Sequence, residues 1–410
     1  IIAHIIKVSK NYAIGIVDEI IEPSTSRIEP DCPVSQKCGG CSFRDMTYEE
    51  ELKYKLSRVQ DAVNRIGHID FEVERIIGAD YTNFYRNKAQ YPVYIENGNL
   101  TAGFYAYKSH RIIPCSVCRL QPPEFEQGIK AFEKWVKKNN ITSFDEKTGK
   151  GLLRHIYFRK AFGTGEVMAC AVVNANDIPD KDYLVLELQQ AFENLKSVVI
   201  NINKKNTNVI LGSETKTIWG GEKICDVLLG KKFVISPQSF YQVNHGQCEN
   251  LYSLVADYVA LKGGETVVDM YCGAGTIGLT LVDKCRQLVG IEIVPSAIEN
   301  AKENAQLNHI SNADFICADA FDGAKEIEKR GLKPDLVIVD PPRKGCQKEL
   351  FDIIENMGAN KIVYVSCDSA TLARDLAILK EKGYKLQHLT AVDMFPRTPH
   401  VECVADIVKE

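Results

Sequence analysis

The stretch 266–278, TVVDMYCGAGTIG, decides how the rest of the chain is read. A short β-prone run reaches Asp269, passes through Tyr271 and opens into glycines at 273, 275 and 278, after which the composition turns helical. Working outward, QLVGIEI (287–293), ADFICA (313–318), DLVIVD (335–340) and KIVYVS (361–366) are apolar runs of strand length separated by helical segments. Strands alternating with helices build a doubly wound α/β domain around a mainly parallel sheet. Two further runs, LQHLTAVDM (386–394) and ECVADIVK (402–409), have no helix between them, so an antiparallel edge is expected.

Upstream the pattern is α+β. YPVYIENGNLTAGFY (91–105) and HIYFRKAFGTGEVMACAVV (155–173) carry glycine turns between alternating strands, and 48–66 and 123–138 read as helices. The opening residues, IIAHIIKVSKNYAIGIVDEIIEPS, read as two strands ending in a Pro-Ser linker, too short to fold alone. Three units follow: 1–26, 27–236 and 237–410.

At 410 residues with 45% hydrophobic and 25% charged content, the composition is that of a soluble globular protein of more than one domain. No apolar run reaches the ~20 residues of a membrane span, so no membrane association is expected. The first residues carry neither an export leader nor a starting Met, which suggests a truncated, cytoplasmic chain. The formal net charge of -4 argues against a uniformly basic nucleic-acid binder. Residues 236–410 hold 18 Lys+Arg against 25 Asp+Glu, leaving 32 against 29 for residues 1–235, so any RNA footprint belongs to the first part.

Glycines at the carboxyl end of a first strand let a backbone approach a ligand, and Glu292, nineteen residues after Gly273, can accept from ribose hydroxyls. This fits a dinucleotide or a methyl donor. Asp340-Pro341-Pro342-Arg343 favours the donor, because a stiff turn fixes a carboxylate at the sheet edge where hydride transfer has no use for it. Asp319 either meets the adenine amine or caps the next helix. Cys367, after the fifth strand of the domain, is placed to act as a nucleophile, the role a uracil ring needs before carbon 5 can take a methyl group. Asp368 beside it would raise its pKa, and no compensating cation is evident in the sequence. Glu402 is the candidate base for the proton on carbon 5.

Cys32, Cys38 and Cys41 form C-x5-C-x2-C, a spacing suited to zinc or an iron-sulfur cluster, with Cys115 and Cys118 as candidates for a fourth ligand. Between Tyr81 and Arg119, Arg86, Lys88, Lys108, Arg111 and Arg119 are interleaved with eight aromatics, a mixture that grips single-stranded RNA. Arg154, His155, Arg159 and Lys160 suggest a second basic strand.

With CPVSQKCGGC, FYQVN, DMYCGAGT, GIE, DPPRKG, SC and HVE in this order, the chain resembles the RNA uracil-5 methyltransferase family, most closely bacterial 23S ribosomal RNA members that carry an iron-sulfur cluster. The resemblance implies a C-terminal seven-stranded Rossmann-like methyltransferase domain, an α+β iron-sulfur and RNA-binding domain, and the remnant of an N-terminal TRAM β-barrel. It implies S-adenosyl-L-methionine bound by Gln242, Tyr271, Glu292 and Asp340, with Cys367 as nucleophile and Glu402 as base. It also implies a [4Fe-4S] cluster on Cys32, Cys38, Cys41 and Cys115, and packing of the helix near 47–66 on the catalytic domain. The expected partner is RNA, 23S ribosomal rather than transfer RNA, with no DNA, acted on by a monomer. Ser369 departs from the proline usual in the family after Cys and Asn/Asp. The rivals are methylation of an amino nitrogen, for which Arg343 stands where an aromatic is usual, and an RNA-binding iron-sulfur factor with an idle catalytic fold.

Overall fold

A computed structural model describes residues 1–410. Its larger sheet runs in the order 313–317, 287–292, 266–269, 336–339, 361–366, 402–409, 384–392 and 75–77. The first five strands are parallel, and Glu402–Lys409 enters antiparallel between Lys361–Ser366 and Tyr384–Val392. The central strands Thr266–Asp269 and Leu336–Val339 are buried at every position, as strands covered by helices on both faces must be. From the strand 266–269 the chain first builds outward on one side and then returns to build on the other. That reversal is where open α/β sheets bind ligands.

The sheet has eight strands, not seven. Arg75–Ile77 pairs in parallel with Thr390–Val392, and the helix Tyr48–Arg65 packs on the helix Ser369–Glu381. Residues 48–77, assigned by the boundary at 27–236 to the central unit, therefore form part of the catalytic layer. Val59 and Val63 share one core with Leu372 and Leu376, and Lys55, fully buried, bridges Glu51 at 2.7 Å and Asp393 at 2.6 Å. The packing of this helix on the catalytic domain is the one the family resemblance implies, although the boundary drawn at 27–236 places it upstream.

The second sheet runs 214–220, 195–202, 167–173, 153–160, 88–96, 99–105 and 112–114. The helices Phe125–Lys138 and Lys181–Ala191 cover one face, with Phe132, Trp135, Leu184 and Leu188 in its core. The helix 181–191 joins two parallel strands, a crossover that the hairpin reading of this region did not include. The other face meets the catalytic domain through Tyr157, Met168 and Cys170 against Leu251 and Val255. The strand 153–160 is consequently inside, and its basic residues are not an RNA surface. Arg159 is fully buried and donates to the carbonyls of Ser236 at 2.8 Å and Ser239 at 3.0 Å, while Arg154 donates to Asn203 and Lys205. The hairpin Ile2–Val8 with Ala13–Glu19 is exposed along both strands. No helix is long and apolar enough to cross a membrane.

Candidate functional site

Strand ends collect the catalytic candidates. Asp269 ends its strand with Oδ2 accepting from the Gly278 amide at 3.2 Å, while Oδ1 is buried without a partner. Gly273 and Gly275 adopt φ of +55° and +79°, the left-handed region that glycine enters without strain. A Cβ at Gly278 would meet Leu288 at 2.8 Å, whereas one at Gly273 would meet nothing within 4 Å, so the loop is packed below and open above. Glu292, on the neighbouring strand, accepts from the Gly273 amide at 3.2 Å and the Val294 amide at 2.9 Å. Tyr271 flanks this loop. Gln242 is buried, and its carbonyl accepts from the Asn87 side-chain amide at 2.8 Å. Asp319 is the N-cap of the following helix and accepts from the Asp322 amide at 2.9 Å, so the capping alternative is the one observed.

Across the reversal, Ser366 pairs with Cys403, and the next step of this antiparallel register brings Cys367 level with Glu402. Asp340 leaves its strand beside them. Burial pushes the Cys367 thiol up to about 11, with Glu402 and Asp340 adding repulsion and Arg343 opposing both. Burial and then Asp340 push Glu402 up to about 8, again with Arg343 opposing. Burial pushes Asp340 to about 7, and Asp269 reaches about 7 through burial, Asp340 and Glu292.

Two expectations about this thiol change. Asp368 is turned away as the N-cap of the helix 369–381, accepting from the amides of Ala370 and Thr371 at 3.0 Å each. The compensating cation is Arg343, three residues beyond Asp340. Sequence inspection missed it because only the fold brings the turn after one strand over the end of the next. Asp375 holds that turn by accepting from the Cys346 amide at 2.9 Å and the Tyr364 hydroxyl at 2.7 Å.

A second constellation lies in the central region. Cys32, Cys38, Cys41, Cys115 and Cys118 line one cavity of about 50 Å³ with Arg44, Arg86 and Arg119. Arg44 is buried, donates to Asp31 at 2.8 Å and leaves two guanidinium nitrogens unpartnered. Amide groups point at two of the sulfurs: Gly40 donates to Cys38 and Leu120 to Cys118, both at 3.4 Å. Cys115 behaves differently, its thiol donating to the Val117 carbonyl at 3.5 Å. No three Cys, His, Asp or Glu side chains converge as ligands of a single metal ion would.

The aromatic stretch divides between core and surface. Tyr85 and Tyr91 are buried, Arg86 lines the cysteine cavity, and burial followed by Arg159 and Arg86 pushes Lys88 down to about 8. Tyr81, Tyr94 and Tyr107 are exposed, and Lys108 lies over the Tyr107 ring at 5.1 Å. The Cys38 loop pairs with this surface, Gly39 donating to the Tyr105 carbonyl at 3.0 Å.

The family model described as tRNA (Uracil-5-)-methyltransferase matches residues 47–409. An uncharacterized RNA methyltransferase of Clostridium tetani is 46% identical over 401 residues, covering 98% of this chain and 87% of the relative. One from Clostridium acetobutylicum is 44% identical, covering 98% and 88%. Among solved structures, Pyrococcus abyssi tRNA (uracil-54, C5)-methyltransferase in complex with S-adenosyl-L-homocysteine is similar over 100% of this chain and 92% of its own, with a TM-score of 0.81 and 28% identity.

Proposed function

Because the chain belongs to the tRNA (uracil-5-)-methyltransferase family and is an S-adenosyl-L-methionine-dependent RNA uracil-5 methyltransferase, we propose that it modifies a uridine of 23S ribosomal RNA through a covalent adduct on Cys367. The observation that carries the reading is the convergence of Cys367, Asp340 and Glu402 at neighbouring strand ends, with Arg343 over them. Cys367 adds to carbon 6 of the ring, which makes carbon 5 nucleophilic enough to take the methyl group. Glu402 removes the proton from carbon 5, and the electron pair returns to expel the cysteine sulfur. Gln242, Tyr271, Glu292 and Asp340 surround the donor, whose sulfonium supplies the methyl group and a positive charge. Burial holds Asp269, Asp340 and Glu402 far above the ordinary carboxylate range, with Asp340 adding repulsion at the other two, and a cation placed among them relieves this.

The cysteine cavity holds a [4Fe-4S] cluster in this reading. Cys32, Cys38 and Cys41 are three of its ligands, and Cys118 replaces Cys115 as the fourth, because an amide donates to the Cys118 sulfur as to a ligating thiolate whereas the Cys115 thiol is itself a donor. The hairpin 2–19 is assigned to a TRAM module in this reading, and the whole acts as a cytoplasmic monomer. Ribosomal RNA is preferred on the resemblance carried by the cysteine loop. Transfer RNA is the second reading, favoured by the likeness to the Pyrococcus abyssi enzyme. Mapping 5-methyluridine in both RNAs from cells lacking the gene separates them: loss at a 23S position is expected, and loss confined to transfer RNA overturns the preference.

A further inference from the structure

The loop 393–400, between the last two strands of the chain, leads directly into Glu402 and is held almost residue by residue from outside its own sheet. Lys55 and Tyr48 bind the Asp393 carboxylate at 2.6 and 2.7 Å. Asn244 donates to the Met394 carbonyl at 3.1 Å, Lys55 to that of Phe395 at 3.2 Å, and Tyr85 to that of Pro396 at 2.9 Å. At its centre Arg397 adopts φ +70°, a left-handed conformation that a side chain other than glycine enters only when its surroundings hold it there.

What holds it is the chain that follows Cys41. The Arg397 carbonyl accepts from the amides of Ser42 at 2.9 Å and Phe43 at 3.2 Å. Its guanidinium donates to the Met46 carbonyl at 3.0 Å and lies 3.6 Å from Glu51, while its own amide donates to Glu51 at 2.7 Å. Both ends of the segment 42–46 are thus fastened on one residue. Thr398 closes the loop onto the Phe395 carbonyl at 2.8 Å, which leaves little slack between Arg397 and the strand that starts at Glu402.

We propose that Arg397 is a positioning residue for Glu402, fastening the segment that follows the cysteine loop to the loop that leads into the base so that the two move as one body. The inference rests on the reading of Glu402 as the base. It has a specific kinetic consequence, because Arg397 reaches neither Cys367 nor the glycine loop: proton removal and release of the adduct suffer, while addition and methyl transfer do not.

Arg397→Gly and Arg397→Lys, purified with their iron measured, test this. Glycine accepts the left-handed backbone and keeps the main-chain bonds, so it reports on the side chain alone, and lysine restores the charge and one donor. In single turnovers with labelled donor and an RNA fragment, the methylated adduct should form within about twofold of the wild-type rate. Its decay should slow by roughly 10- to 100-fold in Arg397→Gly, the scale of a misplacement near 1 Å, and by less in Arg397→Lys. Glu402→Gln is run in parallel. If it traps the adduct while both Arg397 variants release product at the wild-type rate, the positioning role is wrong and the base stands. Equal slowing of formation and decay, or loss of iron in proportion to activity, marks a general fold defect and also overturns it. No adduct with Glu402→Gln removes the base and this inference with it.

Discussion

The two constellations are built with opposite electrostatic bias. At the sheet edge, Asp269, Asp340 and Glu402 are buried together with one guanidinium, Arg343, acting on both the thiol and the base. In the cysteine cavity, Arg44, Arg86 and Arg119 surround the thiols, and amides turn toward two of the sulfurs. The first arrangement, chiefly by burial, disfavours its own negative charge until a cation arrives. The second attracts an anion, as the proposed cluster held by four thiolates would be. The lesson is that each site is preset for the charge of what it takes up, and that removing a charge from one should have the reverse consequence of removing it from the other.

The sharpest division is expected among the cysteines. Cys118→Ser should purify with iron reduced from about four atoms to near none, while Cys115→Ser keeps most of it. The opposite order, read by iron content and visible absorbance, would return the fourth ligand to Cys115. At the other site, Arg343→Met withdraws the charge that opposes repulsion of the thiol. Adduct formation near pH 7 should fall about three- to tenfold and recover in part as pH rises toward the thiol's range. A loss that does not depend on pH would assign Arg343 to RNA contact instead.

The acidic edge also sets how stability varies with pH. Asp269 and Asp340 titrate at about 7 and Glu402 at about 8 in the folded protein, well above an unfolded value near 4. The folded state binds more protons than the unfolded one between these limits, so stability is greatest below pH 4 as far as these groups are concerned and declines as pH rises toward 8. The melting temperature of donor-free protein should fall between pH 5.5 and 8.5, less so in Glu402→Gln. S-adenosyl-L-methionine should recover more of the loss than S-adenosyl-L-homocysteine, which lacks the sulfonium charge. Equal recovery by the two ligands would break the electrostatic contrast between the sites. The smallest effect is on RNA affinity: Lys108→Ala and Arg111→Ala should each lower the slope of log affinity against log salt by about 0.7 to 0.9, and Lys88→Ala, being partly buried, should leave it unchanged.

The difference between the sites extends to how they could be read. Cys367, Asp340, Glu292 and the glycines stand at the ends of strands whose apolar runs are plain, so alternation alone places them on one edge. Arg343 lies in the same motif yet its role depends on which strand end the turn covers, and that is a tertiary fact. Cys115 and Cys118 are three residues apart, and only the direction of amide and thiol hydrogen bonds distinguishes them. Arg154 and Arg159 read as a charged surface because a sequence does not reveal backbone carbonyls that wait for a buried guanidinium. The eighth strand has only three residues, too few for any periodicity, and it owes its place to the edge offered by Thr390–Val392.

The most direct test of the central claim is a trapped intermediate. Glu402→Gln, incubated with labelled S-adenosyl-L-methionine and an RNA fragment containing the target uridine, should give a labelled band of protein joined to RNA that survives denaturing electrophoresis, because addition and methyl transfer proceed while the proton on carbon 5 has no acceptor. Cys367→Ala should give none. Release of free methylated RNA by Glu402→Gln at the wild-type rate, or a labelled adduct with Cys367→Ala, would contradict the account.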